Sequence, residues 1–110
     1  MASNEDIILR ALGWTEGEYG WWHYTNGSGQ VGRPPVTADD AFRALQKTFG
    51  AGFLAVRVYP GKNRVEAAVD AWHRPAFHAA GSTATEALIA AAAKAIEAES
   101  KDASQTNPEG

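Results

Sequence analysis

The chain has no cysteine, a single methionine and no long uninterrupted apolar run. Without cysteine, a disulfide framework and a zinc site built on thiolates are both excluded. No stretch approaches the roughly 18 consecutive apolar residues of a membrane-spanning helix, and the residues after Met1 lack the basic and then apolar order of a signal peptide. We therefore expect a soluble, cytoplasmic protein that makes no use of a membrane.

The chain also lacks a strong excess of either positive or negative charge. The 110 residues carry a formal net charge of −3, with 45% hydrophobic and 21% charged side chains, as one globular domain would. Basic side chains outnumber acidic ones between residues 33 and 74, whereas the flanking segments are acidic. The middle is too mixed in sign for the continuous basic surface of a duplex-binding domain, so a solvated surface is the simpler interpretation.

The clearest pattern is a pair of alternating runs, residues 53–59 and 64–72, joined by Pro60-Gly61-Lys62-Asn63. Alternation predicts an antiparallel hairpin with one buried face. A four-residue loop would pair Val58 with Val65, Val56 with Ala67 and Leu54 with Val69 on that face. The opposite face would carry Phe53, Arg57, Tyr59, Arg64, Glu66, Asp70 and Trp72, with Arg57 opposite Glu66 as a charge pair.

Three helices are expected around this hairpin. Ser3 or Asn4 can cap a short first helix that ends at Gly13. Thr37 can cap a second helix over about 38–48, and the capping box Thr83-Ala84-Thr85-Glu86 opens an alanine-rich third helix over about 84–98. The segment 100–110 has no large apolar side chain and is expected to be a disordered tail.

An earlier hairpin is predicted around Asn26-Gly27, a dipeptide that favours tight turns. We therefore expect one α+β domain over residues 1–99, in which an antiparallel sheet of about four strands from two hairpins packs with two main helices and the short N-terminal one. In the first hairpin Tyr19, Trp21 and His23 would share one face of the sheet, and Trp22 and Tyr24 the other.

If helices cover only one face of the sheet, an aromatic set is left exposed, and aromatic side chains with arginine nearby are the usual anchors of interfaces. The alternative is that a second layer covers that face. The expected interaction surface comprises Phe53, Arg57, Tyr59, Arg64, Glu66, Trp72, Trp21 and Trp22. A second copy of the chain, giving a homodimer, or a host protein would be the partner.

Motifs for chemistry are weak. Asp70, His73, His78 and the distant His23 have no recognised metal-ligand spacing. Gly27, Gly29 and Gly32 match a dinucleotide-binding pattern in letters only, because the match spans a hairpin turn. We expect no catalytic residues, no metal and no cofactor, and hence no enzyme.

Several segments together resemble the small phage-encoded proteins called phage ABA sandwich domains. They are Leu12-Gly13-Trp14, Trp21-Trp22-His23 before the Asn26-Gly27 turn, Asp40-Ala41 at a helix start, the alternating hairpin, and His78-Ala79-Ala80-Gly81 leading into Ala84-Thr85-Glu86-Ala87-Leu88. The resemblance covers about residues 5–98. It implies a sandwich-like α/β fold and a phage or prophage accessory role in the host cytoplasm, and it supplies no catalytic residues.

Three classes of function follow. The favoured one is a non-enzymatic protein-interaction module, with inhibition of a host defence system as its most specific form. A single-stranded nucleic-acid binder is the alternative, with Phe53, Tyr59 and Trp72 stacking on bases and Arg57, Lys62 and Arg64 contacting phosphates. A small metal-dependent enzyme using Asp70, His73 and His78 is the third.

Overall fold

A computed structural model describes residues 3–50, 53–71 and 75–105. Over these residues the chain forms three helices and six strands, which confirms the α+β class. In chain order they are α1 (Asn4–Ala11), β1 (Trp14–Glu16), β2 (Trp21–Tyr24), β3 (Gly29–Val31), α2 (Ala38–Phe49), β4 (Phe53–Gly61), β5 (Arg64–Ala71), β6 (Phe77–Gly81) and α3 (Ala84–Gln105). A 3-10 turn, Glu18–Gly20, lies between β1 and β2.

The strands form two separate sheets. Sheet A has the order β1-β2-β3 and sheet B the order β4-β5-β6, both antiparallel. This arrangement corrects the expected single sheet of about four strands. Both predicted hairpins are present, but each gains a third strand and becomes a sheet of its own. The sandwich layering implied by the resemblance is not confirmed.

The predicted helix starts are confirmed by their caps. The Ser3 hydroxyl accepts a hydrogen bond from the Asp6 N–H at 3.2 Å at the start of α1, and the Thr83 hydroxyl accepts one from the Glu86 N–H at 3.1 Å at the start of α3. The third helix runs to Gln105, beyond the expected end near Ala98. It therefore overlaps the expected tail 100–110, of which residues 106–110 lie outside the described part of the chain.

A full capping box opens α2. The Asp40 N–H donates to the Thr37 hydroxyl at 3.2 Å, and the Thr37 N–H donates to the Asp40 carboxylate at 3.0 Å. Partial burial opposes ionisation of Asp40, but hydrogen bonds from the Thr37 N–H, the Arg43 guanidinium and the Thr37 hydroxyl outweigh it and lower the pKa of Asp40. The start of α2 is thus held by a carboxylate that favours its charged form.

The hairpin β4–β5 is confirmed with a different register. Gly61 pairs with Arg64, so the loop is the two residues Lys62 and Asn63 rather than four. Asn63 adopts φ 64, a conformation that asparagine tolerates better than most residues. Every predicted pair is consequently wrong by two positions: Val58 pairs with Ala67, and Val56 with Val69. Because the displacement is even, the assignment of side chains to faces survives.

The inner face of sheet B is buried unevenly. Ala67 and Val69 on the central strand β5 are fully buried, and Val56 and Val65 are partly buried against the core. Val58 was expected to be buried, but it is 44% exposed. It lies on the edge strand β4, whereas α3 packs mainly on β5 and β6. The side chain of Leu54 lies outside the described ones.

Helix α3 is the centre of the core. It packs against β5 and β6 and also against α1 and α2, and its buried side chains are mostly alanines. Small side chains let the helix approach the sheet closely. The approach is tightest at Gly81, where an added Cβ would lie 2.8 Å from the Ala87 nitrogen and 2.8 Å from the Glu86 Cβ.

Candidate interaction surface on sheet A

The two faces of sheet A differ sharply in exposure. Adjacent Trp21 and Trp22 point to opposite sides of β2, as alternation requires. Trp22 is only 3% exposed, and on its side Trp14 and Tyr24 pair across the strands with ring centroids 5.1 Å apart. Trp22 was expected in the interaction surface, and its burial removes it from there. Helix α1 and Pro34, which is buried, lie on this inner side.

The outer face of sheet A carries a set of exposed apolar and aromatic side chains. Tyr19 is 92% exposed, Trp21 43% and Val31 65%, and Val31 lies directly across the strands from Trp21. His23 follows two residues after Trp21, so it shares this side. We call Tyr19, Trp21, His23 and Val31 the aromatic face. Exposed apolar groups clustered in this way are typical of interaction sites.

The rings of the aromatic face are held in place by their surroundings. The Trp21 and His23 rings are stacked, with centroids 6.2 Å apart and 17° between planes. Gly17 and Gly29 flank the His23 ring so closely that a Cβ at Gly17 would lie 3.0 Å from it and one at Gly29 3.3 Å. Gly17, before the turn that leads into β2, and Gly29, at the start of β3, therefore make room for this ring.

Tyr19 is presented by an unusual backbone. It has φ 57 and ψ 30 in the turn between β1 and β2, a left-handed conformation that is uncommon for a residue other than glycine. Its side chain, with Glu18, Trp21 and His23, lines an open hollow at the end of the aromatic face. A strained residue that also exposes a large ring is an indication of function, since neither feature favours folding.

The outer face of sheet B is different in chemistry. Arg57 donates to Asp70 through Nε at 3.0 Å and through the terminal nitrogen at 3.2 Å, and Arg64 donates to Glu66 at 3.4 Å. The expected pairing of Arg57 with Glu66 is therefore wrong. The hydrogen bond and charge of Asp70 raise the pKa of Arg57. The Tyr59 hydroxyl lies 3.5 Å from His78 Nδ1.

The predicted interaction residues thus do not form one surface. Arg57, Tyr59, Arg64 and Glu66 lie on the outer face of sheet B, with their charges paired, while Trp21 lies on sheet A. Phe53 begins β4, but its side chain and all of Trp72 lie outside the described residues. The return strand of the first hairpin, predicted as a weak, glycine-rich strand over Ser28 to Gly32, is present, but Val31 was not among the residues expected in the interaction surface.

The hypothesis of a metal site gains nothing from the geometry. Among the described residues, no group of three or more histidine or acidic side chains could hold a metal ion. Both carboxylate oxygens of Asp70 accept hydrogen bonds from Arg57, and His78 lies beside Tyr59. His73 lies outside the described residues, so the proposed trio stays a prediction.

Comparisons with protein-family models, curated proteins and solved structures give no match to this chain. Over the described residues, none of the helices combines the length and apolar character needed to cross a bilayer. Function is therefore inferred from the chemistry of the two sheets.

Proposed function

We propose that this chain is a non-enzymatic protein-interaction module whose aromatic face binds a partner protein. The observation that supports this most is the exposure of Tyr19, Trp21 and Val31 on one side of one small sheet. Tyrosine and tryptophan are the residues that most often dominate binding energy when an interface covers them. A partner with a complementary apolar surface would remove these side chains from water.

The fixed geometry of the face also supports binding. The Trp21 ring is already stacked on His23, and His23 lies between two glycines, so ordering these two rings costs less than ordering side chains without neighbours, whereas Tyr19 is 92% exposed and has no such support. Ordering flexible side chains costs roughly 0.5–1.5 kcal/mol each on association, and a preordered set avoids that cost. The face is therefore better suited to binding than a set of mobile side chains of the same area.

The biological setting comes from the resemblance alone. We propose, on that basis, a phage or prophage accessory protein in the host cytoplasm, whose partner is a host protein. Inhibition of a host defence system is the most specific form of this proposal. A sandwich-like layering of helices and sheets is proposed on the basis of the same resemblance.

Single-stranded nucleic acid is a less well supported ligand. The arginines expected to contact phosphates, Arg57 and Arg64, are each engaged by a carboxylate, and Tyr59 is only partly exposed. Among the described residues that line the hollow on the aromatic face, Glu18 is the acidic one, and it would repel a phosphate backbone.

A pair of matched variants tests the proposal. The change Tyr19→Ser with Trp21→Ser removes two of the three rings of the aromatic face, and Arg57→Ser with Arg64→Ser changes the outer face of sheet B. Proteins retained from host extract by the wild type would be identified, purified and titrated against each form. We expect the first variant to bind about 30-fold more weakly or worse, the effect of losing interface residues worth about 2 kcal/mol.

The second variant should bind that partner as the wild type does. A labelled single-stranded oligonucleotide serves as the competing probe. The proposal is overturned if the oligonucleotide binds, weakens steeply with salt and is lost in the arginine variant, or if the purified partner binds both variants equally.

A further inference from the structure

The two edges of sheet B are treated differently by the rest of the chain. At the β6 edge, α3 packs against the strand, and Lys94 Nζ donates to the backbone carbonyl of His78 at 2.7 Å. The opposite edge is β4, nine residues long, which pairs with β5 alone among the described strands and whose Val58 is 44% exposed. Long uncovered edge strands are ready templates for pairing with another chain.

The register of the hairpin shows which backbone groups of β4 are available. A two-residue loop is closed by a hydrogen-bonded pair, here Gly61 with Arg64, and such pairs then alternate along the ladder. Tyr59 and Arg57 therefore bond to β5, while the N–H and C=O groups of Val56 and Val58 point away from it. The backbone nitrogen of Pro60 also points away from β5, like that of Val58, as expected for a residue without an N–H on an edge strand.

We infer that two copies of this chain pair antiparallel through their β4 edges, about a twofold axis at Val58, and join two B sheets into one. This inference goes beyond the proposed function and leaves the aromatic face free. A second copy is the occupant because the edge is self-complementary in this register: Val58 meets the partner's Val58, and Val56 meets the partner's Pro60.

The register places hydrogen bonds on both sides of the axis. Each Val58 N–H would donate to the carbonyl of the partner's Val58, and each Val56 N–H to the carbonyl of the partner's Pro60. Because the proline nitrogen carries no hydrogen, each pair of Val56 with Pro60 makes one hydrogen bond in place of two, and the Val56 carbonyl receives no donor from the partner strand. The exposed Val58 side chains would cover each other on the helix side of the joined sheet.

The positions of the charged side chains on the outer face of sheet B favour the same register. On the outer face Arg57 would lie opposite the partner's Tyr59, where the guanidinium can approach the ring. A twofold axis one residue earlier would instead place Arg57 opposite the partner's Arg57, and like charges directly opposed destabilise a sheet. The axis at Val58 avoids this repulsion without any change of fold.

Charge reversal at the axis tests the inference, since residue 58 would face its own copy. Sedimentation equilibrium would be measured on the wild type, on Val58→Lys, on Val58→Glu and on an equimolar mixture of the two variants. We expect a wild-type dimer, a dimer Kd raised at least about tenfold in each variant alone, and recovery in the mixture, where opposite charges meet. Val58→Thr, which keeps shape and N–H, is the control and should dimerise as the wild type does.

A monomeric wild type, or variants that dimerise as well as the wild type, would overturn the inference; failure of the mixture to recover would overturn the axis at Val58. Amide exchange of the wild type gives a second measurement that needs no variant. The Val58 amide should be protected at high protein concentration and exchange rapidly on dilution. The Tyr19→Ser, Trp21→Ser variant should remain dimeric, which separates this inference from the proposed function.

Discussion

Sheets A and B have the same strand number and the same antiparallel order, but they divide their side chains in opposite ways. Sheet B places its apolar side chains toward the helices and covers its outer face with paired charges. Sheet A buries Trp22 and exposes the preceding residue, Trp21. Sheet B therefore contributes chiefly to stability, whereas sheet A leaves apolar side chains in contact with water.

The test with the largest expected effect introduces one aspartate into each sheet. Val69→Asp in sheet B buries an unpaired carboxylate at a site with no exposure, and we expect it to lower the free energy of unfolding by about 3–5 kcal/mol or to abolish folding. Val31→Asp in sheet A changes a mostly exposed side chain and should cost about 0.5 kcal/mol or less. Urea denaturation of both variants measures the difference, and equal losses would contradict it.

The adjacent tryptophans give the next largest effect. Trp22→Ala leaves a cavity inside and should cost about 3–5 kcal/mol, whereas Trp21→Ala should cost about 1 kcal/mol or less, because its ring is partly in water already. Thermal unfolding followed by circular dichroism compares the two. A larger loss for Trp21→Ala would mean that the aromatic face is part of the core and would remove the basis of the proposed binding.

A smaller effect is expected at the start of α2 and depends on pH. The pKa of Asp40 is lower in the folded chain than in the unfolded one, so its charged form stabilises the fold above the ordinary aspartate pKa of about 3.9, and this contribution is lost as the pH falls through the folded pKa. Asp40→Asn should therefore lower stability by up to about 1 kcal/mol at pH 7 and converge with the wild type in acid.

Asp39→Asn is the matched control for that change, because Asp39 is largely exposed and takes no part in the capping box. Urea unfolding at neutral and acid pH would compare the three proteins. A gap between Asp40→Asn and the wild type that stays constant with pH would show that the charge of Asp40 is not what stabilises the helix start.

The smallest effect concerns the paired charges on the outer face of sheet B. In a double-mutant cycle with Arg57→Gln and Asp70→Asn, the coupling should be weaker than the effects above and should fade as salt is added, because the pair is exposed to solvent. Chemical denaturation at low and high salt measures it. A coupling that persists at high salt would point to a structural role for this pair.

The sequence predicted the hairpins and helix starts because those signals are local. Alternation in β4 and β5, the Asn26-Gly27 turn and the cap at Thr37 each depend on a few neighbouring residues, and each was found where expected. The face assignment of Trp21 and Trp22 followed from alternation in the same way. Which of these faces is covered depends on how α1 and Pro34 pack against sheet A, so the burial of Trp22 needed the structure.

The errors have physical causes as well. The loop between β4 and β5 has two residues rather than four because Asn63 accepts a left-handed conformation, which composition alone does not reveal. This difference changes every predicted pair of residues but moves no side chain to the other face of the sheet. The exposure of Val58 reflects how far α3 reaches across sheet B, a property of packing rather than of pattern. The strands that extend the two hairpins, β1 and β6, are short and carry few alternating residues.

The contact of Gly81 with the first turn of α3 bears on how relatives of this chain could be recognised. Even a methyl group at this position would strike backbone atoms of the helix. The strand and the helix would have to move apart to admit it. A related sequence could diverge widely on the aromatic face and still be forced to retain glycine here, two positions ahead of the threonine that caps the helix. That glycine, placed between a short strand and an alanine-rich helix, is thus a better sign of common ancestry than the tryptophans.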